Sequence, residues 1–285
     1  MIDLHTHTTA SDGRCTPAEL VSRASTAGVT VLSVTDHDTV AGCDAAAEAC
    51  LAAGIAFVPG IEITAIREAV DVHVLGYFID VRSAALQAFL AAQRLRRLDR
   101  VRQMIDRLAT FGIHLDADAI LQPGVDDSTR SVGRPWIARA LVAAGHVATT
   151  NAAFDSWLAR GRPAFVPRAG ASPDEVFARI HEAGGVASMA HPGLTAHDGW
   201  IDGFAAAGMD ALEAYHTNHD TRATAHYLAT AQRLGLGVSG GSDYHADESH
   251  GASNPGSIAL PREAFDQLVL LATSRASASG ADTSS

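Results

Sequence analysis

Seven short apolar runs recur along the chain, and most are followed by a longer stretch whose apolar residues fall at helical spacing. This alternation constrains the fold more than any other feature. The runs lie at residues 2–4, 31–35, 56–59, 72–78, 186–190, 211–215 and 236–239. Helical spacing fills 17–27, 41–53, 173–183, 200–207 and 221–234. Gly28, Gly54, Gly184 and Gly235 stand just past four of these helices, where a left-handed residue ends a helix well. Repeated strand–helix units predict an α/β protein on a parallel sheet, either open or closed into a barrel.

The alternation stops between about residues 83 and 163, where only helical patterns remain, at 84–111, 116–121, 134–144 and 151–159. In the first of these, Leu98, Val101, Ile105 and Leu108 make one buried face. The expected organisation is a discontinuous barrel domain over 1–82 and 164–273 with a helical insertion over 83–163. The small, polar tail over 274–285 is expected to be disordered, and its removal to leave folding intact.

Composition removes several chemistries. All 21 basic residues are arginine, so there is no Walker A lysine, no Schiff-base lysine and no carboxylated-lysine metal bridge. With 32 acidic residues the net charge is −11, which argues against long nucleic acid, whose binding requires many phosphates to be neutralised. Cys15, Cys43 and Cys50 have no CxxC spacing and form neither a zinc knuckle nor a disulfide framework. No signal-peptide pattern opens the chain and no apolar run reaches the roughly 18 residues of a membrane span. The expectation is a cytoplasmic protein without membrane contact. Histidine, at 14 residues, is the excess, and imidazole is the commonest metal ligand.

The histidines are placed where they matter. The first run leads into His5-Thr6-His7, whose i, i+2 spacing points both rings the same way, and Asp12 follows in a turn. The second run leads into Asp36-His37-Asp38, the third into Glu62, and the fourth carries His73. The fifth leads into His191, the sixth into His216 and the seventh into Asp243-Tyr244-His245. The C-terminal edge of parallel strands is where α/β proteins build active sites. His5, His7, Asp12, His37, Glu62, His73, His191, Asp243 and His245 are thus the candidate metal ligands. Six imidazoles and three carboxylates exceed one tetrahedral site and suit two or three divalent ions, with Glu62 or Asp243 as the bridge. A nitrogen and oxygen set without thiolate fits Mn, Fe or Zn. Asp36 and Asp38 are expected to orient imidazoles rather than bind metal.

The segments HTHTTASDG, TDHDT, PGIE, DVHVLGYF, AHPG and GSDYH, in this order, resemble the PHP (polymerase and histidinol phosphatase) family. The resemblance implies a distorted (β/α)7 barrel with two or three metal ions at its C-terminal edge, held by those nine residues. The insertion, with Gly133-Arg134-Pro135 and Arg160-Gly161-Arg162-Pro163, resembles the stand-alone bacterial phosphoesterases of the family, where it forms a lid. In that subgroup a histidine usually follows Gly-Arg-Pro; this chain has Trp136. Related members act on nucleoside 3′,5′-bisphosphates and on the 5′ ends of short RNA.

Paired metals clamp a phosphoryl group and supply a hydroxide at neutral pH, which attacks phosphorus in line. Arg134 is the candidate for gripping the phosphate, because its planar fork matches phosphate and it opens a predicted helix. Arg160 and Arg162 are weaker candidates, and His216 and His219 are candidates for substrate contact. The arginine-rich stretch from Gln93 to Arg102 reads as the wet face of a helix. The function expected is a metal-dependent phosphomonoester hydrolase acting on a small nucleotide or on short 5′-phosphorylated RNA. A histidinol-phosphate-type phosphatase, a metal amidohydrolase or lactonase, and a non-catalytic module are the alternatives.

Overall fold

The structure, a computed structural model, describes residues 1–126, 132–247 and 251–281. It divides into two packing units, Met1–Phe89 with the segment from Ala171 onward, and Leu90–Gly170. The division falls at 89/90 and 170/171, a few residues beyond the boundaries at 83 and 163 suggested by helical patterning.

In the first unit the strands are β1 (Ile2–Asp3), β2 (Val31–Val34), β3 (Ala56–Arg67), β4 (Val70–Tyr77), β5 (Val186–Met189), β6 (Ala211–His216) and β7 (Gly237–Gly241). The main helices are α1 (Pro17–Thr26), α2 (Cys43–Ala53), α7 (Pro173–Glu182), α9 (Ile201–Ala206), α10 (Thr221–Leu234) and α11 (Arg262–Ala281), with a single turn, α8 (Pro192–Thr195), after β5. Local chemistry sets their ends. Thr16 and Glu19 form a reciprocal capping box at α1, with Pro17 in the first turn. Asp220 caps α10, and Gly235 ends it in the left-handed region at φ 67°.

The seven strands pair in sequence order. Leu4 N donates to Gly240 O (3.2 Å) and Thr6 pairs with Tyr244, so the last strand returns to the first and the barrel is nearly closed. One expectation is corrected: the sheet is not all parallel. β4 runs antiparallel to both β3 and β5. β3 passes Pro59 and continues to Arg67, which pairs with Val70, leaving Glu68 and Ala69 as a two-residue turn. Both turn residues have positive φ, 51° and 59°, the conformation that Asn-Gly usually advertises. Because β4 points the other way, its first half lies at the rim where the parallel strands end. Ala190 N donates to His73 O there (3.0 Å).

The barrel core joins Leu4, Val58, Leu75, Tyr77 and Val186 to Phe265 and Leu268 of α11. This helix continues to Ala281, into the stretch expected to be disordered; residues 282–285 lie outside the described residues. A helix already anchored by packing extends at little cost through alanine and serine. Arg275 also pairs with Asp210, at the start of β6, which accepts from His181 Nε2 (2.8 Å) and Ala187 N (2.9 Å) as well. Among the described residues no helix is long and apolar enough to cross a membrane.

Burial pushes the Asp210 carboxyl up, but His181, the Ala187 amide and Arg275 outweigh it and bring it below the usual range. A depressed folded pKa means stabilisation that is complete above the unfolded value of about 3.9 and lost as pH falls through the folded one. Arg275→Ala is therefore expected to lower Tm at neutral pH and to lose most of that difference in strong acid. Equal melting of the two proteins at pH 7 would assign Arg275 no role.

The second unit consists of α3 from Leu90 to its end (Ala84–Thr110 overall), α4 (Ala117–Asp126), α5 (Arg134–Ala143) and α6 (Thr150–Ala153). A wider π-helical turn, Phe154–Leu158, follows α6 where one continuous helix is expected. Met104, Leu108, Ile137, Leu141 and Leu158 form the core, and Trp136 packs against it. The arginines of α3 brace this unit: Arg94 donates to Gly124 O, Arg107 to Phe165 O, and Arg100 Nε to Val166 O at 2.8 Å. They are used on carbonyls, so the stretch is more than a solvated face.

Candidate metal centre

Apart from Asp12, which lies in the turn before α1, each candidate ligand sits on, or just after, a barrel strand. His5 and His7 follow β1, His37 follows β2, Glu62 lies within β3, His73 lies in β4, His191 follows β5, His216 ends β6, and Asp243 and His245 follow β7. The structure brings all nine expected residues together and adds His216. Their donor atoms form four overlapping groups, each within 4.8 Å: His7, Asp12, His37 and His245; His5, His216 and Asp243; His5, Glu62 and His191; His37, Glu62 and His73.

Two carboxylates organise the rings. Glu62 Oε2 lies 3.2 Å from His7 Nε2, 3.1 Å from His37 Nδ1 and 3.4 Å from His5 Nε2. Its Oε1 lies 2.9 Å from His73 Nδ1 and 3.0 Å from His191 Nε2. Asp243 Oδ1 lies 3.2 Å from Nε2 of both His5 and His7, and Oδ2 lies 3.3 Å from His216 Nε2. Asp12, whose side chain is 43% exposed, faces His37 at 3.7 Å and His245 at 3.4 Å on the open side.

Two of these residues hold uncommon backbone. Asp243 has φ 54° and His191 has φ 25°, each at a cost of order 1–3 kcal/mol that the surroundings must offset. Asp243 N donates to His5 O (2.8 Å), and His191 N donates to Glu213 Oε2 (2.6 Å). These bonds fix the strained turns that aim both side chains inward.

The electrostatics show a cluster poised for cations. Burial pushes the carboxyl of Glu62 up, but His37, His73 and His5 outweigh it and hold it well below the usual range. Burial acts likewise on Asp243, and His5, His216 and His7 outweigh it. Burial lowers His7, yet the carboxylates of Asp243 and Glu62 beside it reverse this and raise it to about 10. His37 is held well below 6.5 by burial. Nδ1 and Nε2 of His7 and Nδ1 of His37, His73 and His191 are buried without a hydrogen-bond partner. Buried polar atoms are rarely left so. Imidazole nitrogens facing shared carboxylate oxygens fit divalent cations.

Other expectations are revised. His219 is braced at both nitrogens: Nδ1 lies 3.0 Å from Ala214 O, and Nε2 accepts from Gly193 N at 3.2 Å. It has no nitrogen left for substrate and instead steadies the loop after His191. His216 faces Asp243 within the cluster and accepts from Asn218 N at Nδ1 (3.1 Å). Asp36 accepts from Thr8 N, Thr8 Oγ1 and Ser11 Oγ, and Asp38 from Thr64 N, so both hold loops. Arg134 opens α5 in the second unit, with its guanidinium 5.7 Å from the Phe154 ring centre. Arg160 and Arg162 lie after the π-helical turn of that unit.

Sequence reasoning missed Glu213, which is fully buried with Oε1 2.9 Å from His5 Nδ1. Strand alternation would put residues 213 and 215 on one face and 216 on the other. A bulge between Glu213 and Tyr215 shifts the register, so Glu213 and His216 both reach the cluster.

The profile of the PHP domain family matches residues 3–155. A 3′,5′-nucleoside bisphosphate phosphatase of Chromobacterium violaceum is 36% identical, covering 86% of this chain and 87% of its own length. The chain belongs to the PHP domain family. The 5′-3′ exoribonuclease Rnm of Salmonella typhimurium, another relative, is 36% identical over 85% of this chain and 84% of its own. A crystal structure from Bifidobacterium adolescentis, provisionally described as a metal-dependent phosphoesterase, superposes with TM-score 0.81 at 33% identity, covering 94% of this chain and 95% of that one. This PHP protein is a metal-dependent phosphoesterase with a distorted seven-stranded barrel.

Proposed function

We propose that this chain removes phosphate from a nucleotide-type phosphomonoester, such as a nucleoside 3′,5′-bisphosphate, and that the same site accepts short 5′-phosphorylated RNA. The observation that carries this reading is the convergence of seven imidazoles and three carboxylates at one barrel rim. The names of the two relatives support the substrate class.

Two or three divalent ions of the Mn, Fe or Zn kind would be held by His5, His7, Asp12, His37, Glu62, His73, His191, Asp243 and His245. When bound, they supply Lewis-acid stabilisation of phosphoryl oxygens and a water acidic enough to ionise near neutral pH. The chain's own residues do the rest. Glu62 and Asp243, each reaching several imidazoles, would be the residues able to hold more than one of these ions. The Nδ1 of His245 lies 2.9 Å from Asp243 O, which leaves its Nε2 to face Asp12 and the open side. Arg134, on the second unit, is the candidate cation for the substrate phosphate, because its planar fork matches phosphate.

Phosphate release from nucleoside 3′,5′-bisphosphates, mononucleotides, histidinol phosphate and a short 5′-phosphorylated RNA, with Mn²⁺ and with chelator, tests this. Chelator-sensitive release from the nucleotide or RNA substrates is expected. Release from histidinol phosphate alone would overturn the substrate class. Arg134→Ala is expected to lower kcat/KM about tenfold to a hundredfold, the worth of one charge-assisted contact. An unchanged kcat/KM would return Arg134 to a purely structural place beside Phe154.

A further inference from the structure

Glu213 bonds to two different elements of the metal centre without belonging to any of its donor groups. Its carboxylate has no solvent exposure. Oε1 lies 2.9 Å from Nδ1 of His5, which follows β1, and Oε2 accepts from the backbone N–H of His191, after β5, at 2.6 Å. The two partners are distant in sequence, and His191 holds φ 25°. With both oxygens engaged by donors, Glu213 is placed to orient ligands rather than to be one.

We propose that Glu213 is a positioning residue that fixes which nitrogen His5 offers and where His191 stands. A carboxylate at Nδ1 keeps the proton on that atom and leaves the Nε2 lone pair for the centre. The His5 Nε2 lies 3.4 Å from Glu62 and 3.2 Å from Asp243, so this tautomer points the lone pair at both bridging candidates. The second oxygen ties down the residue that carries the His191 ring into the same donor group. The bulge in β6 is the structural means, because it turns Glu213 inward along with His216.

The inference rests on the metal-holding reading above, and its test is read on metal rather than on turnover. Glu213→Gln keeps the shape but presents one acceptor and one donor to two donors. Competition with a chelator is expected to show Mn²⁺ held about 10–100-fold more weakly by Glu213→Gln than by the unaltered protein. Glu213→Asp keeps both acceptors on a shorter stem and is expected to lose less. Equal losses in the two variants, or none in Glu213→Gln, would overturn the proposal. Should Glu213→Gln fail to fold, the unaltered protein decides. Loaded with Zn²⁺, it is expected to show a protected His5 Nδ1–H resonance in long-range ¹H–¹⁵N spectra. Metal on Nδ1 would overturn the assignment. If Glu213→Gln weakens Mn²⁺ while no phosphorylated substrate is turned over, the substrate reading fails and the positioning role stands.

Discussion

Asp243→Ala is expected to lower kcat/KM by at least about 10²–10³-fold and to lower the metal content of the same preparation. The size follows from its position. Its Oδ1 is shared by His5 and His7 at 3.2 Å each and lies 3.5 Å from His245, while Oδ2 faces His216. Glu62 shares His5 and His7 with it, at 3.4 and 3.2 Å, but its remaining partners are His37, His73 and His191 rather than His216 and His245. Removing Asp243 withdraws negative charge from four buried imidazoles, so ions and protons are both held less well there. Steady-state kinetics and atomic emission on one sample would check it, with circular dichroism to confirm folding. Near-normal turnover together with normal metal content would take the centre out of the reaction.

The convergence of the nine candidate ligands was legible because short-range rules govern them. The i, i+2 spacing of His5 with His7 and of Asp243 with His245 survives folding, and each pair follows a strand that an apolar run marks clearly. What stayed hidden depends on register and on distant partners. Glu68 and Ala69 carry none of the glycine or asparagine that signals a tight hairpin, so the reversal of β4 left no local trace. The inward turn of Glu213 depends on a bulge opposite Ser239 and Gly240, a pairing that neither strand announces alone. α11 escaped for a related reason: its Phe265 and Leu268 face a core assembled from strands far apart in sequence, and Arg275 finds Asp210, 65 residues away. The role of Arg134 stays with the kinetic experiment, since gripping a phosphate depends on substrate as well as on the helix it opens.

The closure of the barrel gives the largest expected effect on stability. β7 approaches β1 so closely at Gly241 that a methyl group there would lie 2.3 Å from His5 N, 2.5 Å from His5 Cβ and 2.7 Å from Asp3 Oδ1. His5 N and Cβ cannot be moved by a rotamer change, and Asp3 is held by Ser242 Oγ (2.6 Å) and Gly256 N (2.7 Å). The strands must separate or the turn carrying His5 must shift, so Gly241→Ala is expected to cost about 3 kcal/mol, the upper end for overpacking. Gly203, in α9, gives the contrast: nothing lies within 4 Å of a methyl group there. Gly203→Ala is expected to stabilise by about 0.5–1 kcal/mol, through lower entropy of the unfolded chain and better helix propensity. Thermal unfolding of the two variants should therefore move Tm in opposite directions. Gly241→Ala should also lose Mn²⁺ affinity, because the displaced atoms belong to His5, a proposed ligand of the centre. A Gly241→Ala protein that melts and binds Mn²⁺ like the unaltered chain would mean that β1 and β7 do not meet as closely as the backbone bond from Leu4 N to Gly240 O implies.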